Sequence, residues 1–148
     1  MTMMTKEDIV LRDKRFFEIA RAISLLSMFH SARVGCVFVK HGRVIASGLN
    51  SSKTHPLQKK YNVHRFTEDT TKHSLHAEMS AYINAAKITD DFSDVVVYVY
   101  RETRDGKIAM ARPCKSCMQL LKDIGVKVIK YSTNFGYAIE EIGEMLWQ

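Results

Sequence analysis

A chain of 148 residues is long enough for one domain that buries most of its surface without staples. Hydrophobic residues make up 46% and charged ones 26%, and no apolar run approaches the ~18 residues of a membrane span. Three cysteines are too few, and odd in number, for a disulfide framework. The net charge of +6 favours an anionic partner, a nucleotide phosphate or a nucleic-acid backbone, and does not choose between them.

Lys6, Glu7 and Asp8 precede any apolar run, which does not read as a secretory signal. The expectation is a cytoplasmic protein with no membrane association. Thr5-Lys6-Glu7-Asp8 reads as a capping box, and Phe16, Phe17, Ala20, Ile23 and Leu26 or Ser27 follow at helical spacing. A first helix is predicted from about Asp8 or Asp13 to Met28. Its aromatic stripe reads as core.

Val34-Gly35-Cys36-Val37-Phe38-Val39 and Val44-Ile45-Ala46-Ser47 flank the turn Lys40-His41-Gly42-Arg43, a hairpin signal whose first strand is apolar on both faces. Cys36 is given no role beyond packing. Asn50 follows the second strand. Residues 51–75 form a basic loop without periodicity, with Lys53, Lys59, Lys60, Arg65 and Lys72 against only Glu68 and Asp69. It also holds His55, His64 and His73, read as non-ligands because no cysteine accompanies them, although a second metal site there is open.

Ser74 is a candidate cap for a helix carrying His76-Ala77-Glu78 in its first turn. Val95 to Tyr100 is the clearest strand, expected to be central and parallel to the strand near Val126–Tyr131. Between it and Pro113 runs a connector, residues 101–112, centred on an Asp-Gly turn and supplying Arg101, Arg104, Lys107 and Arg112. Pro113 suits a first helical position, and Gly125 a C-terminal stop. Ile139, Ile142 and Leu146 predict a closing amphipathic helix with Glu140, Glu141 and Glu144 outside.

The chemistry is concentrated in His76-Ala77-Glu78 and Pro113-Cys114-Lys115-Ser116-Cys117. A C-x-x-C pair alone is open to zinc, dithiol redox chemistry or neither. With His76 it offers three metal ligands and leaves a fourth position open, as catalytic zinc sites do. Glu78 near a helix N-terminus is favoured in its ionised form and suits a general base.

H-x-E followed by P-C-x-x-C resembles the zinc-dependent cytidine/deoxycytidylate deaminase superfamily over roughly Asp13 to Tyr131. The resemblance implies one domain over residues 1–148 of α/β class. Its architecture would be a three-layer α-β-α cytidine deaminase-like fold with a mixed sheet of about four to five strands and helices on both faces. It implies Zn2+ held by His76, Cys114 and Cys117, with Glu78 as the catalytic acid/base. Asn50 matches the family's sugar contact, and backbone at Ala77 and Arg112 would meet the base edge. Lys53 is placed to meet a phosphate. Many relatives pass from the central strand to Pro-Cys in fewer residues, so the 101–112 loop departs from the pattern.

The implied function is hydrolytic deamination of a cytosine nucleotide, dCMP to dUMP with release of ammonia, by a homo-oligomer. The alternatives are a polynucleotide deaminase acting on single-stranded DNA, RNA or a tRNA adenosine, and a nucleoside or free-base deaminase. The basic loop has only Tyr61 and Phe66 as stacking platforms, thin provision for a single strand. Outside deamination stand a dithiol redox protein and an inactive zinc scaffold, and the retained Glu78 argues against the scaffold.

Overall fold

The β-branched run that starts at Val95 becomes the middle of a seven-stranded mixed sheet. The computed structural model describes residues 2–5, 9–29, 31–64 and 73–143. Its elements are β1 (Thr2–Thr5), α1 (Leu11–Ser24), β2 (Ala32–Lys40), β3 (Arg43–Leu49), α2 (Pro56–Tyr61), a 3-10 turn (Asn62–His64) and α3 (Ala77–Ala85), followed by β4 (Val95–Thr103), β5 (Ile108–Ala109), α4 (Lys115–Asp123), β6 (Val128–Ser132) and β7 (Gly136–Glu141). The strands lie in the order β1-β7-β6-β4-β2-β3, with β5 added to β4.

β2 and β3 form the expected hairpin. Its two turn residues, His41 and Gly42, both have positive φ (51° and 77°), which matches the twist of the flanking strands. β4 and β6 are parallel, with Val97 opposite Ile129, and α4 is the crossover between them. Because α4 follows β4, its N-terminus lies at the C-terminal end of that strand, where open α/β sheets build their sites.

Helices cover both faces, as expected. On one, Phe16, Phe17 and Ala20 of α1 pack on Val37, Val39, Tyr98 and Tyr100. On the other, Ala77, Ala81 and Ala85 of α3 and Met118 and Leu121 of α4 pack on Cys36, Phe38, Val97 and Val99. Fully burying a side chain such as Phe17 or Phe38 contributes about 1.5–3 kcal/mol.

Two glycines set how closely the helices approach. A Cβ on Gly48 would lie 2.3 Å from the Ala81 nitrogen of α3, and one on Gly35 would lie 2.1 Å from the Ala20 carbonyl oxygen of α1. α1 is also tied to β6: the Lys130 Nζ donates to both carboxylate oxygens of buried Asp13, at 2.8 and 2.9 Å. The Tyr98 hydroxyl donates to the same carboxylate at 2.6 Å.

Several expectations are corrected. Among the described residues the sheet has seven strands, not four or five. In place of the closing helix Ile139 lies in β7, antiparallel to β6 and opposite Lys130; Ile142 follows the strand, and Glu144 and Leu146 lie outside the described residues. Residues 136–142 read equally as three- and two-residue periodicity, and pairing on both sides by β1 and β6 decides for the strand.

The first helix starts at Leu11 with Val10 as N-cap, because Thr5 belongs to β1; Lys6, Glu7 and Asp8 lie outside the described residues. The basic loop contains α2, and residues 65–72 lie outside the described residues. His76, not Ser74, is the N-cap of α3. Cys114 is the N-cap of α4, so Pro113 sits one position before the cap rather than at the first helical residue. Gly125 ends α4 as expected, with φ +95° and Val126 N–H bonded to the Leu121 carbonyl at 3.0 Å. Among the described residues no helix is long and apolar enough to cross a membrane.

Candidate metal centre

α3 and α4 bring their N-termini together, and the residues at those termini carry the chemistry. His76 caps α3, Cys114 caps α4, and Cys117 sits in the first turn of α4. The His76 Nδ1 is 3.5 Å from Cys114 Sγ and 3.4 Å from Cys117 Sγ. Zn–S bonds of about 2.3 Å and Zn–N bonds of about 2.0–2.1 Å at a tetrahedral angle would separate sulfur from nitrogen by about 3.6 Å. The donor atoms therefore have the spacing and the chemistry of a zinc site, with three protein ligands.

The two thiols divide their proton. A hydrogen bond from Cys117, helped by the His76 imidazole, pushes Cys114 down to about 3 against the opposing effect of burial. The bond to Cys114 and full burial push the Cys117 thiol well up. A divalent cation displaces that remaining proton, because only the thiolate is a ligand.

Glu78 occupies the first turn of α3 and is 5% exposed. Burial raises its pKa above the usual carboxylate value, while His76 opposes that rise. Burial, with Glu78 nearby, pushes the Cys36 thiol of β2 well up.

His76, Glu78 and Cys114 border a cavity of about 220 Å³. Its buried lining includes Ala77 and Glu78, and its exposed lining includes Arg101 and Arg112, so cations stand at the mouth. Arg112 is held by Glu140 of β7, and the Tyr131 hydroxyl donates to the same carboxylate at 2.9 Å. Asn50 also lines the cavity. Its Oδ1 accepts from the Ser27 hydroxyl at 2.6 Å and from Val34 N–H at 3.0 Å, and its Nδ2 donates to the Ala32 carbonyl at 2.8 Å. Asn50 thereby fastens the end of β3 to the start of β2. Lys53 is exposed and does not belong to the cavity lining.

One contributor had no sequence signal. Fully buried Gln58 of α2 accepts the His76 backbone N–H at 3.0 Å and donates to Asn62 at 2.8 Å. The basic loop thus supports His76 from behind. Two of its own histidines are occupied locally: His55 Nδ1 accepts Leu57 N–H and caps α2, and His73 bonds Asn62. His64 borders an adjoining concavity with Arg112 and Lys122.

Residues 11–133 match the family model for the cytidine and deoxycytidylate deaminase zinc-binding region. The chain belongs to that family. No curated protein matches it. The crystal structure of dCMP deaminase from cyanophage S-TIM5 in apo form is 22% identical, with TM-score 0.55 and 80% of each chain covered. The same enzyme in complex with dCMP and dUMP is 21% identical with TM-score 0.53, covering 80% of this chain and 78% of that one. Cytidine deaminase from Burkholderia pseudomallei is 18% identical with TM-score 0.60, covering 86% and 91%. At these identities the likeness is one of fold. The family assignment makes this a zinc-dependent deaminase, and its zinc fits the donor set of His76, Cys114 and Cys117.

Proposed function

We propose that this deaminase converts deoxycytidylate to deoxyuridylate with release of ammonia. The observation that carries the reading is one cavity with a buried carboxylate beside three metal donors and two arginines on its exposed lining. A cytosine ring belongs with Glu78, and a phosphate with the arginines. The cyanophage dCMP deaminase, crystallised with dCMP and dUMP, shares the fold.

Bound zinc supplies a Lewis acid that brings the pKa of water toward neutrality. Glu78 accepts a proton from the attacking water and passes it to ring N3 as the oxygen bonds to C4. The same carboxyl group carries the second proton to the exocyclic amine, the C4–N bond breaks, and ammonia leaves a uracil ring. Backbone at Ala77 and Arg112 hold the base edge. Asn50 has one further Nδ2 hydrogen with which to meet the sugar, its other polar capacity being used within the protein. Lys53 stands off the cavity, so in this reading the arginines take over the phosphate contact expected of it. As a nucleotide-pool enzyme the protein would act in the cytoplasm, as a homo-oligomer.

A second reading, a polynucleotide deaminase, is favoured by one observation. Arg112 also borders a concavity of about 340 Å³ with His64, Lys115 and Lys122, which extends the basic surface beyond the cavity. Ammonia release by the zinc-loaded protein separates the two, with dCMP, CMP, deoxycytidine, cytosine and a short single-stranded oligonucleotide in parallel. Preference for dCMP is expected. Turnover of the oligonucleotide alone would overturn the proposal.

A further inference from the structure

We propose that Arg101 is the residue that reads the substrate's phosphate and sets the preference for a nucleotide over a nucleoside. The inference rests on the mononucleotide reading above and deepens it.

Strand alternation puts the side chain on the right face. Along β4, Val97 and Val99 pack with α3 and α4, while Tyr98 and Tyr100 pack with α1. Arg101 continues the first series, and it lines the cavity together with Glu78 and Cys114. Across the sheet it sits between Val34 of β2, another lining residue, and Ala109 of β5.

Its backbone is fixed. Arg101 N–H donates to the buried Ser132 hydroxyl at 3.0 Å, and that hydroxyl donates to the Ala109 carbonyl at 2.7 Å. Ser132 therefore clamps β4, β5 and β6 together at the point where the arginine leaves the strand. Among the described residues, no carboxylate pairs with the Arg101 guanidinium.

Other cations of this region are matched by carboxylates. Arg112, also in the cavity lining, is matched by Glu140 at two points. Lys107 pairs with Asp105 on the turn, Lys130 with Asp13 behind the sheet, and Arg33 with Glu102. An unmatched planar guanidinium on a rigid strand at the cavity mouth suits a phosphate, which it can hold with two parallel hydrogen bonds. A charge-assisted bond of this kind, on an exposed rim, is worth roughly a 10- to 100-fold difference in affinity.

The test compares kcat/KM for dCMP with that for deoxycytidine, substrates that differ only in the phosphate, using zinc-loaded enzyme. The wild type is expected to prefer dCMP. Arg101→Ala and Arg101→Gln should each lower the dCMP-to-deoxycytidine ratio roughly 10- to 100-fold, and Arg101→Lys should restore part of it. Arg104→Ala removes the same charge from the neighbouring turn and should leave the ratio at the wild-type value. A wild-type ratio in Arg101→Gln, or an equal loss in Arg104→Ala, would overturn the assignment while the substrate reading stands. A wild-type enzyme with no preference for dCMP fails the substrate reading itself, and that is seen before any variant is made.

Discussion

Arg112 and Glu140 form a two-point ion pair that joins the cavity lining to β7, with Nε 2.9 Å from Oε2 and Nη2 2.7 Å from Oε1. The arginine hydrogen bond, reinforced by the one from Tyr131, holds Glu140 below its ordinary value of 4.5. A carboxylate whose folded pKa is depressed stabilises the protein above its unfolded pKa and loses that contribution as pH falls through the folded value. Glu140→Gln should therefore cost about 1 kcal/mol at neutral pH, modest because the arginine is half exposed. The gap between wild type and variant should be constant above about pH 4.5 and close in more acid solution. Denaturant unfolding across the pH range checks this, and a gap that widens in acid would refute the pairing.

Glu78→Gln keeps the shape of the side chain and removes its ability to accept a proton. Zinc content should match wild type while kcat falls by about 10²–10⁴-fold. Metal analysis beside ammonia release decides it. Loss of zinc together with activity would instead make Glu78 part of the metal's support.

Cys114→Ala takes one of three donors from a site at which two helix N-termini meet. Metal stoichiometry should fall far below wild type, and the melting temperature should fall with it, because metal binding and folding are linked. Chelator treatment of the wild type should lower the melting temperature in the same direction. A variant that binds zinc normally would show that the ligands are misassigned.

Gly48→Ala puts a methyl group where the α3 backbone already lies, 2.3 Å from the Ala81 nitrogen. Since α3 carries His76 and Glu78, the helix must retreat or tilt. Loss of about 1–3 kcal/mol is expected, with activity falling further than the folded fraction does. Gly42→Ala, at an open turn with nothing near its Cβ, tests backbone conformation without a clash and should leave zinc content intact.

How legible these features were depended on the range of the interactions behind them. His76, Glu78, Cys114 and Cys117 were readable because metal chemistry demands fixed residue types at fixed local spacing. The hairpin and β4 were readable because a strand buried on both faces must be apolar throughout. β7 was not, since the spacing over Gly136–Glu141 suits helix and strand alike and the segment takes its conformation from β1 and β6. Glu140 looked like the wet face of a helix and is instead the partner of Arg112. Gln58 looked like one more polar loop residue, and its bond to the His76 backbone spans a distance no local pattern encodes. The glycine approaches were silent for the same reason: Gly48 matters only because α3 lies on it.

The pairing of β1 with β7 has a consequence for biosynthesis. Thr2 pairs with Ile139, so β1 is synthesised long before the strand it pairs with. Until β7 emerges, the amides and carbonyls of Thr2–Thr5 have no strand to pair with, and a neighbouring nascent chain can add to such a segment. β1 remains at the edge of the finished sheet, and crowded ribosomes making this protein at high rate should expose it unpaired most.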